Sequence, residues 1–541
     1  MLDFDDATST TTLGYDKSSK GNNWTLNNFS LTAGTSYDWM LDVPGNSYCT
    51  ASPVDLGANP GSSALTEANL KSACSAVAGG SSTCGTQALP AGKWYFEFVP
   101  TTIGDGLILG ITSRTSGSPS STAVGYVFNG QKNIAGSSTS YGASYAANDV
   151  IGVAVDTTAN TIEFFKNNTS QGVITNATYV VPGCKPVHWN NSSSGSSTVQ
   201  HMYGQAPLHA SATYHSAAGG YFRYAPPTGF KALCQANLPD PAILNPSSSV
   251  AHRFEAGSGI ASAIATDRSG WTDWMEWFKR TDTTESWKVR FSDDSSNMMA
   301  FDTNGAKAAW SAPSAGTYLG AAFKLGASSG CVSGTYSGDS TSNKNISHSL
   351  GKAPTAALVK NESTGSWYVW HTKMTGAAYF TTLNSATPPA QSNTNTPWGT
   401  GNWSSTQFMV TNNATNNLNA TGSTYRYILF ADIDGLLALL GHTGNASTDG
   451  AFEYGGHKAQ LLIEKDLSAT TGFYVWSDKI DTYNVTASYL LLNTNAGTAA
   501  ATGVDICSNA IKYRSSTIAN ASNPHMGISY SRTPGKYALA R

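Results

Sequence analysis

The sequence predicts an all-β chain: a two-layer sheet sandwich followed by three β-rich repeat units. Three observations carry that expectation. Short runs of alternating apolar residues recur along the 541 residues, separated by Gly, Asn, Ser and Pro clusters. Helical patterns are scarce; Leu65 to Val77, with Thr66-Glu67-Ala68-Asn69-Leu70 and Thr66 as its cap, reads as a helix. Beyond residue 250 one pattern occurs three times.

Composition bounds the rest. At roughly 150 residues per domain, the length implies about three or four domains. Only 12% of residues are charged and the net charge is −3, where about 25% charged is usual. Phosphate binding needs concentrated Lys and Arg, so nucleic acid is not an expected partner. Fourteen Trp, 25 Tyr and 19 Phe exclude a disordered chain. The surface must therefore be built from Ser, Thr, Asn and Gly, residues that suit tight turns. Seven cysteines, at 49, 74, 84, 184, 234, 331 and 507, are odd in number and form no CxxC. They read as small buried hydrophobes, not as a disulfide framework or a zinc site. No apolar run follows Met1-Leu2-Asp3-Phe4-Asp5-Asp6, so no signal peptide is expected. Tyr425 to Leu440, the most apolar stretch of helical length, is interrupted by Asp432 and Asp434, so no membrane insertion is expected.

In order along the chain, residues 1–45 read as an N-terminal arm and 46–240 as the sandwich. Within it, Lys93-Trp94-Tyr95-Phe96-Glu97-Phe98 and Val150-Ile151-Gly152-Val153-Ala154-Val155 read as strands. In the second, Val150, Gly152 and Ala154 face one way and Ile151, Val153 and Val155 the other; both sets are apolar, which suits a central strand. Pro239-Asp240-Pro241 through Asn245-Pro246 disfavours helix and central strand and marks a boundary. Repeat units are then expected at 250–330, 331–435 and 436–541. Each opens with a glycine turn (Gly257, Gly338, Gly444), and a lysine follows 21 or 22 residues on (Lys279, Lys360, Lys465). An aromatic strand starts at Trp287, Trp367 and Phe473, then an apolar strand near Met298, Tyr379 and Tyr489. A pair five apart closes each unit: Tyr318 and Phe323, Tyr425 and Phe430, His525 and Tyr530. Each unit reads as a β-meander able to fold alone or to stack on its neighbours.

Gly92-Lys93-Trp94-Tyr95-Phe96-Glu97-Phe98 resembles the opening strand of SPRY domains, and Leu107-Ile108-Leu109-Gly110-Ile111 the next. Asn148 to Asp156, joined by Thr157-Thr158-Ala159-Asn160-Thr161 to Ile162-Glu163-Phe164-Phe165-Lys166-Asn167-Asn168, resembles the SPRY hairpin. Asn168 stands where the family usually has Gly, and Asn tolerates positive φ. This likeness covers residues 85 to 235. With Phe230-Lys231-Ala232-Leu233-Cys234 through Asn237-Leu238-Pro239 and the repeats, the layout is similar to SPRY-containing tail proteins of marine bacteriophages. Those proteins often carry a jelly roll ahead of this point, and the expectation here is a shorter gene or an equivalent supplied by another chain. The resemblance implies a concanavalin-like sandwich in a virion tail, assembled in the host cytoplasm. It also implies other virion tail proteins, further copies of the chain (a homotrimer by family habit) and host surface glycan as partners. The alternative is a structural virion component, a capsid decoration, tail or baseplate adaptor, that uses SPRY as a protein-docking surface.

Residues that could carry chemistry were weighed one by one. Gly326-Ala327-Ser328-Ser329-Gly330 matches G-x-S-x-G, but the turn-rich sequence after it does not suit the strand-to-helix elbow. Asp432-Ile433-Asp434-Gly435 is half a calcium loop with Thr443 at the twelfth position, which excludes an EF-hand. Asp273, Glu276, Asp432, Asp434 and Glu453 are candidates in principle for paired carboxylates and read better as surface or turn acids. The ten His show no metal-binding spacing. The expectation is a protein that is not an enzyme, with no catalytic residues, metal or cofactor. Trp287, Trp367 and Phe473 recur and read as core plugs. Trp398 and Trp403, in Thr396-Pro397-Trp398-Gly399-Thr400-Gly401-Asn402-Trp403, occur in one repeat only and read as an exposed sugar-stacking platform.

Overall fold

The computed structural model describes residues 6, 8–16, 18, 20–32, 39–42, 46–57, 59–113, 118–206, 208–209, 211–374, 379–391, 397–398, 403–412 and 417–533. The chain is all-β and divides into two compact units, Met1–Pro239 and Asp240–Arg541.

In the first unit, two antiparallel sheets face each other. One runs in the order Ser63–Thr66, Lys71–Cys74, Ser197–Met202, Lys93–Thr102, Ile151–Asp156, Thr161–Lys166, Thr169–Thr175, with Lys231–Ala232 parallel to Lys93–Thr102. The other runs Ser81–Cys84, Lys185–Asn190, Leu107–Thr112, Ala123–Val127, Gln131–Ile134, Ser137–Ser140. Trp94, Phe96 and Phe98 meet Leu109, Ile111 and Tyr126 in the core between them. The opposite side of the same strand is also covered, with Tyr95 edge-on to Phe222 at 5.0 Å. That double burial explains why Lys93–Thr102 and Ile151–Asp156 read as continuous apolar runs. Asn167 and Asn168 take φ of 45° and 68°, as the hairpin turn requires.

Two expectations are corrected here. Leu65 to Val77 is not a helix: Ser63–Thr66 and Lys71–Cys74 form a hairpin. Glu67, Ala68 and Asn69 turn the chain with φ of 54°, 53° and 62°, and Lys71–Cys74 also pairs with Ser197–Met202. Pairing on both edges overrides local helix propensity. The C-terminal end of the expected arm also joins the packing of this unit, since Trp39 is buried edge-on to Tyr221 and the Leu41 amide donates to the Gln205 carbonyl.

In the second unit three sheets share one strand order. Repeat 1 runs Val250–Ala256, Thr317–Lys324, Trp274–Arg280, Lys288–Phe291. Repeat 2 runs Cys331–Ser337, Thr424–Phe430, Ala356–Asn361, Tyr368–His371, Tyr379–Thr382, Ala390–Gln391. Repeat 3 runs Leu437–Leu440, His525–Tyr530, Leu461–Asp466, Tyr474–Ser477, Ser488–Leu491, Ala499–Ala500. In each the closing strand inserts between the first and second. The recurring glycine makes one recurring bond: Gly257 N–H to Gly316 O, Gly338 to Ser423 O, Gly444 to Asn523 O, at 2.8, 2.9 and 3.0 Å. A Cβ there would lie 2.7 Å or closer to a backbone oxygen of Ser314, Ala420 or Ala521, so only glycine fits.

The inner faces do not make three cores. They meet in one, which contains Trp277 and Trp287, Leu358 and Trp367, Phe473 and Tyr530. A small apolar cavity of about 70 Å³ lies where residues of all three repeats meet. Each outer face has its own cover. Helix Gly257–Asp267 lays Ile260 and Ile264 on Phe278 and Tyr318 of repeat 1. A two-stranded antiparallel sheet of Lys344–Ser347 and Gln407–Val410 covers repeat 2. Phe452–Tyr454, Ala510–Tyr513 and Val504–Ile506 cover repeat 3.

Candidate functional site

The cover of repeat 2 holds the two tryptophans that sequence singled out. Trp398 bridges to Val410, and the Thr411 N–H donates to the Pro397 carbonyl at 3.0 Å, so the chain runs beside the two-stranded cover as an extra short segment. The Trp398 ring is 1% exposed and packs with Phe408 and Leu418. It is therefore not an exposed platform, and that part of the expectation is corrected: a ring this large is drawn into the apolar layer beneath the cover. Trp403 is half-buried. Its ring lies 4.4 Å from Trp370, which projects from the outer face of strand Tyr368–His371, and edge-on to Trp398 at 5.7 Å. The two partly exposed rings, Trp370 and Trp403, form the solvent side of this aromatic layer. Residues 392–396 and 399–402 lie outside the described residues.

The recurring aromatics Trp287, Trp367 and Phe473 lie in the shared core as expected, and with the recurring lysines, whose role the sequence did not disclose, they form a second constellation. Lys279, Lys360 and Lys465 are fully buried. Lys279 Nζ donates to the Glu285 and Asn495 carbonyls at 2.5 and 2.9 Å, and Lys465 Nζ to Thr471 and Ala386 at 2.6 and 3.2 Å. Lys360 Nζ donates to the Gly365 carbonyl. Burial pulls each ammonium down to about 8. Trp287 Nε1 donates to Leu491 O at 3.1 Å and Trp367 Nε1 to Ala300 O at 2.9 Å, so each indole ties its own repeat to another. These groups hold backbone carbonyls and have no free face for a ligand.

The acids considered for catalysis each have a local task. Glu276 is buried between Arg268 Nε at 2.8 Å and Arg290 Nε at 2.6 Å. Asp432 accepts the Leu439 N–H at 2.8 Å, and Asp273 accepts from the Thr272 hydroxyl at 3.2 Å. Burial pushes the Asp434 carboxyl up. Glu453 accepts the Tyr513 hydroxyl at 3.1 Å. The G-x-S-x-G segment is a 3-10 turn, Ala327–Ser329, between strands Thr317–Lys324 and Cys331–Ser337, so it lacks the strand-to-helix setting of a nucleophile elbow. Cys49, Cys74, Cys184 and Cys331 are buried, and burial pushes their thiols up to about 12, which leaves them little thiolate. Among the described residues no helix is long and apolar enough to cross a membrane.

With this geometry in place, the first unit is a β-sandwich of two antiparallel sheets. More narrowly, a SPRY domain family model matches residues 93–196. A domain of unknown function, DUF7483, matches residues 323–531, from the end of repeat 1 through repeat 3. No curated protein matches the chain. Similar solved structures include the SPRY domain of human HERC1, at 17% identity over 28% of this chain and 96% of that one, with a TM-score of 0.24. The TRIM65 PSpry domain matches at 14% identity over 28% of this chain and 88% of that one (TM-score 0.23). Stonustoxin matches at 16% identity over 29% of this chain and 27% of that one (TM-score 0.23).

Proposed function

We propose that this chain is a virion tail-fibre or receptor-binding protein that adheres to host cell-surface glycan and has no enzymatic role. The observation that supports the glycan reading is the Trp370–Trp403 pair: two partly exposed indoles packed at 4.4 Å, Trp370 on the sheet of repeat 2 and Trp403 ahead of the cover strand Gln407–Val410. Apolar sugar faces stack on such rings, and the exposed Ser404 and Ser405 next to Trp403 supply hydroxyl partners. Trp398 would act beneath them as the anchor. Other tail proteins and further copies of the chain, as a homotrimer, complete the proposed assembly. The test is a glycan array probed with the full chain. Trp403→Ala is expected to lower binding to the retained glycan about 10-fold or more, a loss of about 1.4 kcal/mol, with the melting temperature little changed. Trp398→Ala is expected to lower the melting temperature instead. A chain that retains no glycan, or a Trp403→Ala variant that binds as before, would overturn the glycan reading.

A second reading is favoured by the SPRY match itself, since SPRY domains generally mediate protein interactions. On it the chain is a capsid decoration, tail or baseplate adaptor that docks another virion protein. Microscopy of intact particles, with the chain labelled, separates the two readings: a tail-tip position supports adhesion, and a position between other virion proteins supports docking.

A further inference from the structure

The three repeats differ most at one equivalent position. Where the first strand faces the closing strand, repeat 1 pairs Glu255 with Tyr318 and repeat 2 pairs Tyr336 with Tyr425. In repeat 3 the same place holds His442 and His525, with the His525 N–H on the His442 carbonyl at 2.8 Å. The imidazoles stack as the tyrosines do: 4.6 Å and 3° between planes, against 5.1 Å and 11°. Around them stand Glu453, Glu464 and Asp466, all buried.

The hydrogen bonds fix how the rings are oriented. His442 Nε2 faces the Ala519 carbonyl at 3.0 Å and His525 Nε2 faces the Ala521 carbonyl at 3.2 Å. A carbonyl only accepts, so each Nε2 carries a proton and each Nδ1 is left to the cluster interior. There Nδ1 of His442 lies 3.2 Å from Glu453 Oε2, and Nδ1 of His525 lies 2.6 Å from Glu464 Oε1. An imidazole tied by one nitrogen to a backbone carbonyl, with the other aimed at carboxylates, is how metal-binding histidines are held. A second observation points the same way. Glu464 is 1% exposed, yet neither of its oxygens, nor His525 Nδ1, makes an aligned hydrogen bond; their 2.6 Å contact is off-line. A buried carboxylate in that state is costly unless a cation meets it. One nitrogen or oxygen from each of His442, Glu464 and His525 lies within 4.8 Å of the others.

We propose that His442, Glu464 and His525 form a buried structural site for one divalent first-row transition-metal ion of the zinc type. Two imidazole nitrogens and a carboxylate oxygen are the donor set that such ions prefer. A single divalent ion supplies positive charge beside the buried carboxylates of Glu453, Glu464 and Asp466. The rings are parallel as they stand, so for both lone pairs to converge one must turn about its Cβ–Cγ bond and give up its Nε2 bond to a backbone carbonyl. The site is closed to solvent, so the ion enters as repeat 3 folds. Sequence spacing does not show it, because its members come from three separate strands and turns.

The test is metal content and stability of the full chain, unfolded and refolded with Zn²⁺ or with chelator. About one ion per chain is expected in the Zn²⁺ sample, with a higher melting temperature than in chelator. Co²⁺ in place of Zn²⁺ is expected to give the visible absorption of a four-coordinate nitrogen–oxygen site. Glu464→Gln and the double change His442→Tyr with His525→Tyr are each expected to weaken uptake by about 100-fold or more. The double change restores the pair that repeat 2 carries at this place, so it is the variant best placed to fold. Wild-type chain that refolds equally well in both conditions and retains no stoichiometric Zn²⁺, Co²⁺ or Ni²⁺ would overturn the proposal, whatever the variants do. So would a Glu464→Gln chain that binds Zn²⁺ as tightly as wild type.

Discussion

Single residues in this chain are used chiefly to close off backbone polar groups, and their substitution should show it. Trp367 fills the shared core and donates to the Ala300 carbonyl. Phe473 occupies the matching place in repeat 3 without an N–H to donate. Trp367→Phe should therefore lose the hydrogen bond and little packing, about 1–2 kcal/mol, while Trp367→Ala should lose about 3–5 kcal/mol. Urea midpoints with an unchanged slope would confirm the pair of values. Glu97 is the comparable case in the sandwich. Its oxygens accept from the Tyr95 hydroxyl and from the Arg223 and Tyr224 amides at 2.9, 2.7 and 3.0 Å. Burial still raises its carboxyl from 4.5 to about 7. The unfolded chain therefore gives up this proton at lower pH than the folded one, and stability falls as pH rises from about 4.5 to about 7. Glu97→Gln should remove this contribution, which urea midpoints of the sandwich at pH 4.5 and pH 8 would measure.

At the scale of elements, the hairpin Ser63–Cys74 is the instructive one. Its turn forces Ala68 to a φ of 53°, a region that costs a residue with a Cβ about 1–2 kcal/mol. Ala68→Gly should thus raise the melting temperature of the sandwich by a few degrees. A drop would mean that the added freedom of glycine in the unfolded chain outweighs the relieved strain. This is also where reading the sequence stopped short. Glu67, Ala68, Asn69 and Leu70 favour helix locally, and only pairing with Ser197–Met202, more than 120 residues away, makes a strand of Lys71–Cys74. Strands with their own apolar signature, Lys93–Thr102 and Ile151–Asp156, were legible because burial on both faces needs no distant partner to be recognised. The repeats were legible by periodicity, but their covers were not: helix Gly257–Asp267 opens on Gly257, Ser258 and Gly259, and its apolar face is little more than Ile260 and Ile264. The aromatic site was half legible. Trp398 and Trp403 were found as non-repeating residues, yet nothing local distinguishes a buried Trp398 from a half-exposed Trp403. Trp370 was missed as their partner because its place in an aromatic strand looked like core alone.

In the Asp240–Arg541 unit, the contacts made around the recurring lysines and aromatics run in one rotational sense. Repeat 1 leans on repeat 3 through Trp287 Nε1 to Leu491 O and the Glu285 amide to Asn495 O. Repeat 2 leans on repeat 1 through Trp367 Nε1 to Ala300 O and the Gly365 amide to Asn304 O. Repeat 3 leans on repeat 2 through Lys465 Nζ to Ala386 O. Head-to-tail contacts that close after three steps are how cyclic trimers are built, and here one chain supplies all three members. A stack of independent repeats would lose its members singly, since each would depend only on its neighbours. A closed ring around one core has no end to fray from. Trp277→Ala, at the centre of repeat 1, should accordingly lower amide protection in strands Ala356–Asn361 and Leu461–Asp466 as much as in its own strand. One cooperative transition for this unit should persist, displaced by about 3–5 kcal/mol. Hydrogen exchange resolved by strand decides the matter: protection lost in Trp274–Arg280 and Thr317–Lys324 alone would mean that the repeats are separable and that their common core is packing without cooperativity.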